Sequence, residues 1–247
     1  MEYLSSRQNK TIAHLRKLGS DKAYRHSCGE GICDGIKLLR EAKMWGVEIL
    51  SVFWMGESAM ELPASVKQYS LSSELMDYAS PLKNSPGPLF TFRMPKWEES
   101  APGRCLVLET IQDPGNLGTI LRTANALNMD TVILTGDCAD VYNPKTVRAA
   151  MGAVFRQRVL RMERGELRSY LSRHGMSLYG AALSESSRDI RAVSLEAAAV
   201  AIGSEGKGLS PEFLTLCDGE IIIPMNEQCE SLNAGVAAAI VMWELCR

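Results

Sequence analysis

The sequence has no apolar run approaching the ~18 residues that a membrane-spanning helix requires. Its opening, MEYLSSRQNK, is polar, so no signal peptide is legible. There is no CxxC pair, and the seven cysteines are odd in number, which argues against a disulfide scaffold and against a paired-cysteine zinc site. An excess of either charge is also lacking. Lys plus Arg number 27 and Asp plus Glu 29, a formal charge of −2. Overall basicity therefore cannot argue for a nucleic-acid partner; only local clusters can. No internal repeat or low-complexity tract interrupts the chain. What is present is ordinary: 247 residues, 46% hydrophobic, 23% charged and 6% aromatic. That is enough for one large or two modest globular domains, and the expectation is a reduced, cytoplasmic protein.

Proline and glycine are dense at Pro81, Pro86, Gly87, Pro88, Pro95, Pro102 and Gly103, with Asn84 among them. At that density regular structure is interrupted, which predicts a first domain over 1–95, a linker over 96–103 and a second domain over 104–247. The first reads as a small α/β unit, with helices over 5–18, 35–45 and 71–78 and a strand over 47–54. The second alternates apolar strands (105–109, 131–135, 177–182, 199–203 and 220–223) with helices (116–128, 144–153, 164–173 and 231–245). Apolar strands separated by helices indicate a parallel sheet covered on both faces. In such sheets ligands sit in the loops at the carboxyl ends of strands.

Three of those loops are unusual. IQDPGNLGTILRTANAL (111–127) contains an Asp113-Pro114-Gly115 turn, Asn116 placed to cap the following helix, Gly118 for close backbone approach, and Arg122. AIGSEGKGLSPE (201–212) spaces its glycines GxxGxG, not GxGxxG, and lacks the GK[ST] of a phosphate-cradling loop. Glu205 between those glycines would repel a triphosphate but could receive a cationic or hydroxyl-bearing ligand. IIIPMNEQCESLNAGVAAAIVMWE (221–244) ends a buried strand at Pro224, runs through a polar loop, and opens a small-residue helix at Ser231-Leu232-Asn233. Singly, each has a plain structural explanation: caps, a glycine turn and solvated charges.

Taken in order, NLGxxxRxAxA, IGSEGKGLS and IPMxxxxxSLNAGVAAAI resemble the SpoU/TrmH family of S-adenosylmethionine-dependent RNA ribose 2′-O-methyltransferases, within the SPOUT superfamily. The resemblance spans roughly 105–245 and includes YNPKTVRAAMGAVF (142–155), with Ala150 where relatives often carry Ser. It implies a SPOUT domain whose parallel sheet is tied in a deep trefoil knot. It implies methyl-donor contacts at Leu183, Gly203, Ile223 and Leu232, with Asn116, Arg122, Glu205, Ser231 and Asn233 nearest the chemistry. It further implies a homodimer through the knotted domain. The last helix would offer Gly235, Ala238, Val241 and Met242 to the partner, or pack them on its own sheet. Around HSCGEGICDGIKLLREA (26–42) the first domain is similar to the L30e-like RNA-binding domain of many relatives.

Methyl transfer from a sulfonium needs alignment and help with the hydroxyl proton, and no metal. Arg122, permanently charged, suits phosphate binding and oxyanion stabilisation better than a base role. The three histidines, His14, His26 and His174, lie outside all three motifs. Two basic runs suit an RNA backbone. Residues 1–26 hold Arg7, Lys10, Arg16, Lys17, Lys22 and Arg25 against Glu2 and Asp21. Residues 145–173 hold Lys145, Arg148 and six further arginines against Glu163 and Glu166. Arg7, Lys10, Lys145 and Arg148 are the expected RNA contacts. Ribosomal RNA is the expected substrate, with tRNA or a non-catalytic RNA-binding role as alternatives.

Overall fold

Asn9 and Asp21 open the first two helices by accepting the amide hydrogens of Thr11 and Tyr24 at 2.8 and 3.0 Å. The computed structural model describes residues 1–82, 85–226 and 228–247; Asn84 lies outside them. From the amino terminus the elements are β1 (Glu2–Leu4), α1 (Lys10–Ser20), α2 (Lys22–Cys28), β2 (Glu30–Asp34), α3 (Ile36–Met44), β3 (Ile49–Met55), β4 (Lys67–Leu71), α4 (Ser73–Ala79) and β5 (Leu89–Arg93). Then come β6 (Cys105–Glu109), α5 (Pro114–Ala126), β7 (Thr131–Thr135), α6 (Pro144–Ala150), β8 (Val159–Arg161), α7 (Arg164–Arg173), β9 (Ser177–Ala181), β10 (Arg188–Asp189), β11 (Ala198–Ile202), α8 (Pro211–Leu214), β12 (Gly219–Ile222) and α9 (Ala234–Leu245).

The chain forms two compact units, and the division is not colinear. One comprises Met1–Lys96 together with Asp140–Phe155; the other comprises Trp97–Ala139 and Arg156–Arg247. In the first unit the strands lie in the order β1-β4-β3-β5-β2, with β5 antiparallel to both neighbours. Ile12, Leu15 and Leu18 of α1 pack on Ile32, Phe53, Leu71, Met76 and Leu89. Strand β5 occupies the Pro/Gly-dense stretch that sequence patterning left without structure, because pairing on both edges outweighs local propensity.

The 140–155 segment is locked into this unit by a buried charge pair. Arg25 donates through Nε and Nη2 to Asp140 Oδ2 at 3.0 and 2.8 Å, and through Nη1 to the Leu18 carbonyl. Asp140 Oδ1 accepts from the Tyr142 amide at 3.1 Å and lies 3.1 Å from His26 Nε2. Phe155 meets Phe92 edge-on at 5.1 Å.

The second unit is a seven-stranded sheet in the order β10-β12-β9-β11-β6-β7-β8, parallel throughout. Its central strands, CLVLE, TVILT and AAVAI, are buried at every position, as expected for a sheet covered on both faces. From β6 the chain winds outward to β7 and β8, then returns to β9 and β11 on the opposite side of β6. The loops after β6 and β11 therefore leave adjacent strands in diverging directions, the condition for a ligand crevice.

Two helix starts differ from the sequence reading. Helix α5 begins at Pro114, not Asn116, because Asp113 is the cap and accepts the Asn116 amide at 2.7 Å; the Asn116 side chain is thereby freed. Helix α9 begins at Ala234 with Asn233, not Ser231, as its cap. Gly235, Ala238, Val241 and Met242 are buried, and α9 packs on α5 and β11 of its own chain. That face is therefore internal and unavailable as a dimer surface. Val236 and Trp243, 49% and 64% exposed, form the outward face instead. No helix among the described residues is long and apolar enough to cross a membrane.

Asp140→Ala leaves Arg25 buried without a counter-charge, and breaking a buried pair from one side costs about 3–5 kcal/mol. Denaturant unfolding of this variant is expected to show a loss of that order, whereas a loss below about 1 kcal/mol would mean that the pair does not hold the segment.

Candidate active site

The site begins at the carboxyl end of β6. Thr110 follows it with φ 57, in the left-handed region, where a β-branched residue is strained. Its amide donates to the Thr135 carbonyl at 3.1 Å. This sharp exit turns the chain toward Asp113 and sets Asn116 on the first turn of α5.

Asn116, Glu205 and Asn233 are 117 residues apart at the extreme, yet they form one hydrogen-bonded chain. Asn233 Oδ1 accepts the amides of Gly235 and Val236 at 2.9 and 3.3 Å as the cap of α9. Its Nδ2 must then face outward, and it donates to Asn116 Oδ1 at 3.0 Å. Asn116 Nδ2 in turn donates to Glu205 Oε1 at 2.9 Å. Because the α9 backbone offers only donors, the orientation of both amides follows from it. Glu205 Oε1 also lies 3.4 Å from the Asp113 amide nitrogen. Ser231 and Arg122 stand outside this chain. Ser231 is exposed, and its carbonyl accepts from Cys229 Sγ at 3.4 Å. Arg122 is exposed on α5, and its side chain has no hydrogen bond or ion pair among the described residues.

Beside the chain lies a cavity of about 540 Å³ at the carboxyl ends of β9, β11 and β12. Leu183, Gly203, Ile223 and Leu232 all line it, as do Glu205 and Ser231. Its floor is apolar, its rim is strand-end backbone, and Glu205, Glu230 and Lys207 are its charged lining residues among those described. A volume of a few hundred Å³ with few convergent polar groups suits a nucleoside-sized ligand.

Gly203 is required to be glycine by its own loop. A Cβ there would fall 1.9 Å from the Gly208 carbonyl carbon and 2.1 Å from the Leu209 nitrogen. The loop closes on itself through paired Ser204 and Gly208 backbone bonds of 3.0 and 2.9 Å. The close approach is thus to its own backbone. Gly206, by contrast, has open space around it.

Sequence reading missed Glu109, Ser210 and Arg164. Glu109 is 2% exposed; it accepts from the Ser210 amide (2.7 Å), the Ser210 hydroxyl (2.8 Å) and Arg164 Nη2 (2.7 Å). The available signal was a lone carboxylate ending an otherwise apolar strand, a position that requires partners. Burial pushes the Cys105 and Cys217 thiols up to about 12, so neither supplies a thiolate at neutral pH. Among the described residues no group of three or more His, Cys, Asp or Glu side chains is placed to hold a metal ion.

The four expected RNA contacts all lie in the first unit, since α6 packs there. All four are exposed. Arg7 and Arg16 sit 4.7 and 4.3 Å from the Tyr78 ring centroid, without a carboxylate partner among the described residues.

Residues 103–243 match the model of the SpoU rRNA methylase family. The chain belongs to that family. It is 29% identical to the 23S rRNA (guanosine(2553)-2′-O)-methyltransferase RlmP of Bacillus subtilis, over 99% of both chains. It is 31% identical to an uncharacterized tRNA/rRNA methyltransferase of Synechocystis sp., over 99% of this chain and 93% of the other. In fold it matches an rRNA methyltransferase from Sinorhizobium meliloti with a TM-score of 0.89 at 24% identity, covering 99% and 96% of the two chains. The two relatives and the Sinorhizobium meliloti structure match over both units, whereas the family model covers residues 103–243.

Gly203→Ala should open the loop and abolish binding of S-adenosylmethionine, whereas Gly206→Ala should bind as wild type. Isothermal calorimetry on the two variants checks this; equal affinity would show that the loop's self-closure does not shape the cavity.

Proposed function

We propose that the protein is an S-adenosylmethionine-dependent methyltransferase that modifies a ribose 2′-hydroxyl of RNA, with ribosomal RNA as its substrate. The observation that carries this reading is the Glu205–Asn116–Asn233 chain bordering the 540 Å³ cavity. Full-length similarity to RlmP supports ribosomal RNA over tRNA.

Leu183, Gly203, Ile223 and Leu232 would hold the donor in the cavity. Bound there, S-adenosylmethionine supplies a methyl group already attached to a sulfonium leaving group. The protein's own task is placement and charge stabilisation. Arg122, without a side-chain partner among the described residues, binds the target phosphate and stabilises oxyanion charge as the hydroxyl loses its proton. Glu205, Ser231 and Asn233 orient the ribose, and Asn116 keeps Glu205 aimed at the cavity. Arg7 and Lys10, on an L30e-like domain over 1–95, carry the RNA backbone together with Lys145 and Arg148, which belong in sequence to the knotted SPOUT domain over 104–247 joined to it by residues 96–103. Such contacts are salt-dependent and read little sequence. The enzyme works in the cytoplasm.

The first test is methyl transfer from labelled S-adenosylmethionine to total RNA, followed by mapping of the modified ribose. Label in tRNA would redirect the substrate, and no label in any RNA would leave a binding protein on this fold. Arg122→Ala should lose at least ~100-fold in turnover, the scale of removing one oxyanion donor, with donor affinity kept. Lys at this position should rescue poorly because it lacks the planar fork. Near-normal turnover in Arg122→Ala would make Arg122 an ordinary surface charge.

The same reading includes a homodimer, supported by Val236 and Trp243 exposed one above the other on α9, just beyond Asn233. A two-fold interface repeats any charge placed at its centre, so Trp243→Arg should give a folded monomer of low activity. Analytical ultracentrifugation checks this, and a fully active wild-type monomer would remove the dimer.

A further inference from the structure

We infer that Glu109 is a positioning residue for methyl-donor binding, acting through Ser210 on the 203–209 loop. The inference rests on the reading of the cavity as the donor site.

The loop is internally rigid. Ser204 and Gly208 exchange backbone hydrogen bonds, and Gly203 lies against the Gly208–Leu209 backbone. A rigid loop can be misplaced only by movement of its two stems. One stem is β11, held in the sheet by β6 and β9. The other leaves through Leu209 to Ser210, which caps the short α8 and has no ladder to hold it. What holds it is Glu109. Both carboxylate oxygens are engaged, Oε2 by the Ser210 amide at 2.7 Å and Oε1 by the Ser210 hydroxyl at 2.8 Å. Arg164 Nη2 supplies the counter-charge at 2.7 Å and reaches the Ser210 hydroxyl at 3.2 Å.

Glu109 is also the last residue of β6, the strand that leads to Asn116. The loop is therefore tied to the β6–α5 segment twice, at its exit by Glu109 and at its tip by the Glu205–Asn116 bond. These two ties fix the wall on which Gly203 and Glu205 stand relative to α5. Neither Glu109 nor Ser210 lines the cavity, so an effect of Glu109 on the donor must be transmitted.

Glu109→Gln keeps the volume but sets an amide against Arg164. The expected result is S-adenosylmethionine affinity weakened by at least about tenfold, as for loss of one charge-assisted hydrogen bond. Turnover at saturating donor should stay within about threefold, because bound donor re-seats the loop. In the free variant, hydrogen exchange over 203–210 should accelerate. Glu109→Gln combined with Arg164→Gln removes the unpaired guanidinium; it should recover melting temperature but not donor affinity. A purely structural role would give the opposite pattern, lowered melting temperature with unchanged affinity of the folded fraction. Should Glu109→Gln fail to fold, Ser210→Ala is expected to weaken donor binding by about threefold, the effect of one neutral hydrogen bond. Folded Glu109→Gln with donor affinity within twofold of wild type, or Ser210→Ala with unchanged affinity, overturns the inference. Failure of the wild-type protein to bind the donor would instead overturn the reading of the cavity.

Discussion

Parallel pairing of β6 with β11, in register from Cys105 opposite Ala199 to Leu108 opposite Ile202, sets the position of every group at the site. The two strands lie side by side although nearly a hundred residues separate them, and their loops diverge from a shared edge. That shared edge brings Asn116 within hydrogen-bond reach of Glu205 and Glu109 within reach of Ser210. A slip of one residue would turn each buried side chain to the opposite face, which side chains close-packed on both faces of the sheet do not permit. Register is therefore enforced by the core, and the site inherits it.

From that constraint follows a polar system with fixed orientation. The α9 amides accept nothing, so Asn233 must present Oδ1 to them and Nδ2 to Asn116. Asn116 must then present Nδ2 to Glu205. The carboxylate is held without a cation among the described residues, an arrangement suited to a ligand that brings its own positive charge. Arg122 stands outside the chain, with no carboxylate partner among the described residues. Glu109 does the reverse: buried, it is neutralised by the half-exposed Arg164 and bonded to the Ser210 backbone.

The first unit is built on a different principle. Its sheet is mixed and its helices are short. The 140–155 segment, which lies in the middle of the methylase motifs in sequence, is held there by Arg25 and Asp140. A buried ion pair is costly to break from one side but gives little net stability over an apolar pair. Its consequence here is placement: Lys145 and Arg148 join Arg7 and Lys10 on one unit, although more than 130 residues separate them.

The amino-acid sequence by itself determined the alternation of apolar strands and helices in the second unit, with residues 105–109, 131–135 and 164–173 forming the elements their patterning predicts. It also carried three motifs in an order that matches the family, a signal that none of the loops holds singly. Local signals are sufficient for those elements, since buried parallel strands and helix periods are written in consecutive residues. Tertiary structure alone decided that Asp113 and Asn233 cap their helices in place of Asn116 and Ser231, and that Gly203 meets its own loop. It alone buried the small-residue face of α9 against α5, made residues 89–93 a strand, and assigned residues 140–155 to the first unit. The two caps and the Gly203 contact are local but turn on backbone geometry that residue types do not specify, whereas the packing of α9, the pairing of β5 and the placement of 140–155 depend on partners far along the chain, such as an aspartate that neutralises an arginine. Such partners leave no trace in local composition, because what selects them is the burial of a donor or a charge that only the folded chain removes from water.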